Sequence, residues 1–323
     1  MIKHVKTLAA CLSALLLAGC AASPTPAPTT TRYHVAMIAK STSTEFWSAV
    51  FAGAEAAATE YNMDLTITGP ESEEDYSSQN DLIEKAVEEG AQAIIFSASD
   101  YQQNGAAIDA AADKGVRIVV VDSAVNSSKV SAYVGADNYG AGQMAAKSAL
   151  ENVEGPLHVG LVSYNVNSPN AQEREEGVID TLTASGRAEV AATVYSVATP
   201  ENARAETLTM LARHPEINVL ISFNEAVSVG AAQAVSDLDR ADDLWMVAFD
   251  SNITTVDALH TGAVDAMVVQ NTYGMGYFSV ENAYKLLAGQ GSDVTRETET
   301  ATRIIDRSNI FALDGQKAVF PFE

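Results

Sequence analysis

The chain has 323 residues, 47% of them apolar, and a formal net charge of −23 from 19 Lys+Arg against 42 Asp+Glu. So much apolar content excludes an intrinsically disordered chain, and the negative field repels phosphate backbones, which argues against nucleic-acid binding. A single hydrophobic core stops growing near roughly 250–300 residues, so two domains are expected.

At the N-terminus, Lys3 and Lys6 precede an apolar run at 8–17. That run is shorter than the about 20 residues a spanning helix needs, so it reads as a leader. Leu17-Ala18-Gly19-Cys20 follows and resembles a bacterial lipobox, which implies cleavage before Cys20 and a diacylglycerol on its thiol. An ordinary signal peptide with an incidental cysteine is the alternative. On the lipobox reading, residues 1–19 are a lipoprotein signal peptide. Its loss removes two lysines and leaves 17 cations against 42 anions, or −25. The only other cysteine, Cys11, lies in the leader, so neither a disulfide nor a thiolate metal site is expected in the mature domain. Residues 20–32 then form the lipidated cysteine and a tether, in which Pro24, Pro26 and Pro28 favour an extended spacer. The expected location is extracytoplasmic, lipid-anchored to the bacterial cell membrane.

From Tyr33 onward short apolar runs alternate with amphipathic stretches. The runs are 35–39, 93–96, 116–121, 159–162, 219–223, 246–249 and 266–269. They are continuous rather than alternating, as in parallel strands buried on both faces. Between them, Val50, Ala54, Ala57, Ala58 and Tyr61 keep helical spacing, as do Leu82, Ile83, Ala86 and Val87. Tyr277, Val280, Tyr284 and Leu287 share that period in 273–287. Strand–helix alternation over this length predicts an α/β architecture. Some ten strands would make a very wide single sheet, so two sheets are expected, with a break near Gly135-Ala136-Asp137-Asn138.

Ligands of open parallel sheets bind beyond the carboxyl ends of the strands. The polar residues in those places are Ser41 to Thr44, Ser97, Asp122 with Ser123, Asn224, Asp250 and Gln270, with Arg174 early in a helix after 159–162. Singly they could be loop starters; Asp122 and Asp250 are as well suited to capping a helix as to holding a ligand. Their recurrence after successive runs is what points to a site. Carboxylates accept from hydroxyls and a guanidinium donates in a fixed fork, which suits a neutral polyhydroxylated ligand. Phe46 and Trp47 could lie against the C–H face of a sugar ring, or pack into the core at a helix start.

Catalytic patterns are missing. The sequence holds no G-x-S-x-G, H-E-x-x-H or P-loop. His4, His34, His158, His214 and His260 are scattered, and Asp237, Asp239, Asp242 and Asp243 lack the glycine and glutamate of a calcium loop. Gly140-Ala141-Gly142 lacks the third glycine of a dinucleotide fingerprint. No enzymatic activity, cofactor or metal is expected.

Several stretches carry a resemblance. They are Ser43-Thr44-Glu45-Phe46-Trp47, Val120-Val121-Asp122-Ser123, Gly135-Ala136-Asp137-Asn138-Tyr139 and Asn170-Ala171-Gln172-Glu173-Arg174-Glu175-Glu176-Gly177. Phe223-Asn224-Glu225, Ala248-Phe249-Asp250 and Val269-Gln270 complete the set. In their order the chain from Tyr33 onward resembles the type 1 periplasmic binding proteins of the ribose and galactose class. The resemblance implies two doubly wound parallel-sheet lobes joined by a three-crossing hinge. One lobe would hold 33–136 with 271–300, the other 137–270 with 301–323. It implies a monomer that captures a sugar or polyol and delivers it to an ABC-type permease; the alternative is a sensor subunit presenting a sugar or furanosyl signal to a chemoreceptor or histidine kinase. Carried across, Phe46, Trp47 and Phe249 would sandwich the ring, while Asp122, Arg174, Asn224, Asp250 and Gln270 would hold its hydroxyls. Thr44 and Ser97 stand where the ribose pattern has asparagines, and Ser123 where an arginine follows the aspartate, departures that point away from ribose itself and toward another pentose, a hexose, a polyol or a furanosyl signal molecule. LacI-type repressors share the fold but carry a helix-turn-helix where this chain has its leader and tether.

Overall fold

The computed structural model describes residues 32–320. The expected leader, the lipidation at Cys20 and the tether up to Thr31 lie outside the described residues, as do 321–323.

Two six-stranded sheets carry the fold. The first contains β1 (His34–Ile38), β2 (Asp64–Thr68), β3 (Ala93–Phe96), β4 (Arg117–Val121), β5 (Ala132–Gly135) and β11 (Glu297–Glu299). Its order is β11-β5-β4-β3-β1-β2, parallel throughout. Helices α1 (Glu45–Glu60), α2 (Tyr76–Glu88), α3 (Gly105–Asp113) and α9 (Thr272–Leu287) cover it. The second sheet contains β6 (Leu157–Ser163), β7 (Ala188–Tyr195), β8 (Val219–Ser222), β9 (Trp245–Phe249), β10 (Ala266–Gln270) and β12 (Thr302–Asp306). Its order is β12-β10-β9-β8-β6-β7, parallel except for β12, which runs against β10. Around it lie α4 (Asn138–Asn152), α5 (Pro169–Ser185), α6 (Pro200–Arg213), α7 (Glu225–Asp237), α8 (Ile253–Thr261) and α10 (Leu313–Val319).

The continuous apolar runs have a direct cause. In β1, Val35 and Met37 join the core under α1 and α9, while Ala36 and Ile38 join the core under α2 and α3. A strand alternates its side chains between faces, so a strand covered on both must be apolar at every position. In the second lobe one core cluster runs from α4 to α10.

The chain passes between the sheets after β5, after β10 and after β11. Capping residues fix where helices begin: Thr44 accepts from Trp47 N, and Asp137 accepts from Gly140 N. Among the described residues no helix is long and apolar enough to cross a membrane.

Candidate functional site

The carboxyl ends of both sheets face one another across an interlobe cavity. It is lined by Lys40 and Ser41 after β1, Asp122 after β4 and Tyr164 after β6. Asn224 after β8, Asp250 after β9 and the end of β10 at Gln270 complete its floor. Thr44, Phe46, Glu73, Asn170, Arg174 and Glu225 close its sides. The cavity volume is only about 40 Å³, room for a few water molecules. A sugar-sized molecule would enter only if the lobes parted.

Asp122 and Asp250 are nearly buried, at 5% exposure each. Neither caps a helix; the caps nearby are Asn224 for α7 and Asn252 for α8. Instead both aspartates stand at positive φ, 61° and 65°. Each sheet thus ends one central strand in a left-handed residue whose carboxylate turns into the cleft. Asp122 accepts from Ser97 Oγ (3.1 Å) and, across the cleft, from Asn170 Nδ2 (2.9 Å), and Tyr133 Oη donates to its backbone carbonyl (2.7 Å). Asp250 accepts from Gln270 Nε2 at 2.7 Å. Burial pushes its carboxyl up to about 7, against the pull of Arg174 and the Gln270 hydrogen bond, with Glu225 and Asp122 adding to the rise. Gln270 Oε1 is buried without a hydrogen-bond partner, an acceptor that costs free energy until a donor meets it.

Two cations are buried beside these acids. The Arg174 guanidinium donates to Asn138 Oδ1 (2.9 Å) and to the Phe223 carbonyl (2.6 Å), and lies 4.8 Å from the Phe249 ring centre. Lys40 Nζ sits 3.8 Å from Glu73 and 5.3 Å from the Tyr164 ring centre. Burial alone would lower its pKa, but Tyr164, Glu73 and Asp122 outweigh that and raise it, so Lys40 stays charged.

The sequence-predicted residues divide into three groups. Thr44, Phe46, Asp122, Arg174, Asn224, Asp250 and Gln270 line the cavity. Thr44 and Asn224 do so while capping α1 and α7. Ser97 and Ser123 are fully buried behind Asp122 and do not line it; Ser97 Oγ bonds both the Asp122 carboxylate and Ser123 N. The expected aromatic sandwich is not formed. Trp47 and Phe249 are wholly buried in the cores of their lobes, Trp47 stacked near Phe51 with its Nε1 on Glu73, Phe249 backing Arg174. Both sit where a helix start or a strand end turns its side chain inward, and of the three aromatics only Phe46 reaches the cavity wall.

The cavity also holds Lys40, Glu73, Tyr164, Asn170 and Glu225, which the expected set of site residues does not include. Lys40 was legible, being the first polar residue after the run 35–39. Tyr164 follows Ser163 at the end of β6 in the same way. Glu73 lies in a loop crowded with acids, where nothing marks one carboxylate.

A larger hollow of about 690 Å³ lies along β4, β5 and the starts of α4 and α5, sharing Asp122 and Asn170 with the interlobe cavity. The chemistry does not follow the volume, because the buried cations and Asp250 all face the smaller cavity. Among the described residues no group of His, Cys, Asp and Glu could hold a metal ion.

Comparison with known proteins bears on the family and the fold. A D-ribose/D-allose-binding protein of Pseudomonas aeruginosa is 31% identical over 121 residues, a match spanning 38% of that protein and 38% of this chain. A carbohydrate transporter solute-binding protein from Agrobacterium radiobacter, solved with D-arabinose, superposes with a TM-score of 0.86 at 22% identity, covering 90% of this chain and 100% of that one. An ABC transporter solute-binding protein from Agrobacterium vitis with bound D-fucose gives 0.85 at 25% identity, over 89% of this chain and 100% of its own. The model of the periplasmic binding protein domain matches residues 35–291, so the chain belongs to that family of binding proteins.

Proposed function

We propose that this protein is an extracytoplasmic solute-binding lipoprotein that encloses a neutral sugar or polyol between its lobes and hands it to an ABC-type permease. The observation that carries the reading is the pair Asp122 and Asp250. One carboxylate from each sheet is aimed into a single cavity, beside Arg174 and the unpartnered Gln270 Oε1. Hydroxyl donors would satisfy these acceptors, and a hydroxyl oxygen would accept from the guanidinium. The names of the relatives, which bind ribose, allose, arabinose or fucose, support the same class of ligand. Anchoring rests on Cys20 and the proline tether; Cys20→Ser should move the protein from the membrane to the soluble fraction.

A thermal-shift panel of pentoses, hexoses and polyols tests the ligand class. A ligand at about 100 times its Kd should stabilise the fold by about 2.7 kcal/mol. Asp250→Ala and Arg174→Ala should each abolish the shift at modest concentration with the ligand-free protein still folded, whereas Asp242→Ala on an exposed loop should not. Equal stabilisation of all three variants by the panel's best sugar would remove the cavity from consideration.

A further inference from the structure

Glu225 opens α7, but its side chain does not serve that helix; Asn224 caps it by accepting from Val227 N. The Glu225 carboxylate reaches into the other lobe. Its Oε2 accepts from Phe46 N at 2.7 Å and its Oε1 from Glu45 N at 3.2 Å. These are the first two amides of α1, which have no partner inside their own helix. The helix's own cap does not supply one, since Thr44 Oγ1 is engaged with Trp47 N. Asn252 Nδ2 holds the carboxylate in place from α8, at 3.1 Å. A return contact completes the arrangement: Glu45 Oε1 accepts from Ile253 N, the first amide of α8, at 3.4 Å. Each lobe therefore supplies a carboxylate to a helix N-terminus of the other, where the amides and the helix dipole both favour negative charge.

We propose that Glu225 is a closure latch, a positioning residue that holds the lobes together by capping α1 from the opposite lobe. It rests on the reading that the lobes part and meet about the cavity, but it requires no contact with any ligand. Its partners are backbone amides, present whatever fills the cavity, so the latch favours the closed arrangement even in the empty protein. It also opposes the motion that releases a bound molecule. Two further bonds, Ala198 N to Glu74 (2.8 Å) and Asn165 Nδ2 to the Ser99 carbonyl (2.9 Å), also join loops of the two lobes. Glu225 differs from Glu74 in being nearly buried, at 9% exposure, so water competes less for its bonds.

The test is residue-resolved amide hydrogen exchange on the full chain with no sugar added, paired with solution scattering. The Glu45 and Phe46 amides should be protected in the wild type. Glu225→Ala should speed their exchange by roughly tenfold or more, the loss expected for charge-assisted bonds, and should raise the radius of gyration. Glu225→Gln keeps the size with one acceptor oxygen and should fall between. Amides from Ala49 onward in α1 should not change. A role confined to folding α7 would instead speed exchange within α7 and leave the radius alone. The latch is overturned if both amides exchange at the unprotected rate in the wild type, or if neither variant alters their exchange. Should Glu225→Ala fail to fold, the wild type and Glu225→Gln still decide. The sugar panel on the wild type is independent: a positive panel with no latch leaves the binding reading standing, and the converse result removes that reading alone.

Discussion

Asp122 and Asp250 occupy left-handed backbone, at φ 61° and 65°, which costs a non-glycine residue roughly 1–2 kcal/mol. Aspartate and asparagine tolerate it best because a short polar side chain can bond locally. The conformation turns the carboxylate out of the strand direction and over the sheet's end, which a residue continuing the strand could not do. Sequence position identified both aspartates, because each follows an apolar run directly, but it left capping and ligand-holding open; the φ values and the neighbouring Asn252 cap decide against capping. Asp250 also gives a pH prediction. Its proton stays on in the native state up to about pH 7 but leaves an ordinary carboxyl near 3.8. The neutral, buried form therefore contributes stability that is fully present below the unfolded value and is lost as pH rises through about 7. Asp250→Asn keeps a neutral group, the acceptor for Gln270 and a good left-handed residue. Without ligand, the Tm advantage of Asp250→Asn over wild type should widen from pH 4 to pH 7 and level off above. Parallel Tm curves across that range would show that Asp250 ionises normally.

Helix pairs brace the site from behind. In the first lobe α1 packs on α9, and in the second α4 packs on α5. Both crossings depend on glycine where backbones meet. A Cβ on Gly276 of α9 would run into the Val50 carbonyl of α1, and one on Gly142 of α4 into the Arg174 carbonyl of α5. Gly276→Ala should lower unfolding stability by about 1–3 kcal/mol, the usual range for overpacking, while sugars still bind. Gly142→Ala should cost similar stability and also weaken binding, because the displaced turn carries Arg174. Denaturant unfolding with the thermal-shift panel separates the two; unchanged binding in Gly142→Ala would mean that the turn absorbs the extra atom. At this scale the central strands were legible because burial on both faces forces unbroken apolar runs. The strands β11 and β12 were not. Glu297–Glu299 has no apolar residue, and Thr302–Asp306 mixes polar and apolar; both become strands only by returning to pair with β5 and β10. Sequence spacing likewise could not tell that Phe46 faces the cleft while adjacent Trp47 faces the core, since a helix start leaves the rotation of its first turn unfixed.

For the molecule as a whole, the division of the site between lobes matters more than any one contact. Asp122 belongs to the first sheet and Asp250, Arg174 and Asn224 to the second lobe. On the proposed function, an open protein would offer a ligand only one of the two sets, and the full affinity would appear only when both close on it. The Asn170–Asp122 bond joins the two lobes at a carboxylate that lines the cavity. A double-mutant cycle follows from this arrangement. Measured above pH 7, where Asp250 too is ionised, Asp122→Asn and Asp250→Asn should each weaken binding of the panel's best sugar about tenfold or more, since each removes a charge-assisted acceptor. Once either change has stopped closure from being completed, the other carboxylate has little left to contribute. The double variant should bind only a little more weakly than the worse single one, leaving a coupling well outside the few tenths of a kcal/mol seen for independent sites. Calorimetric titration of the four proteins measures it. Strict additivity would mean that the two sheets grip the ligand separately, and that closure, however well latched, contributes nothing to recognition.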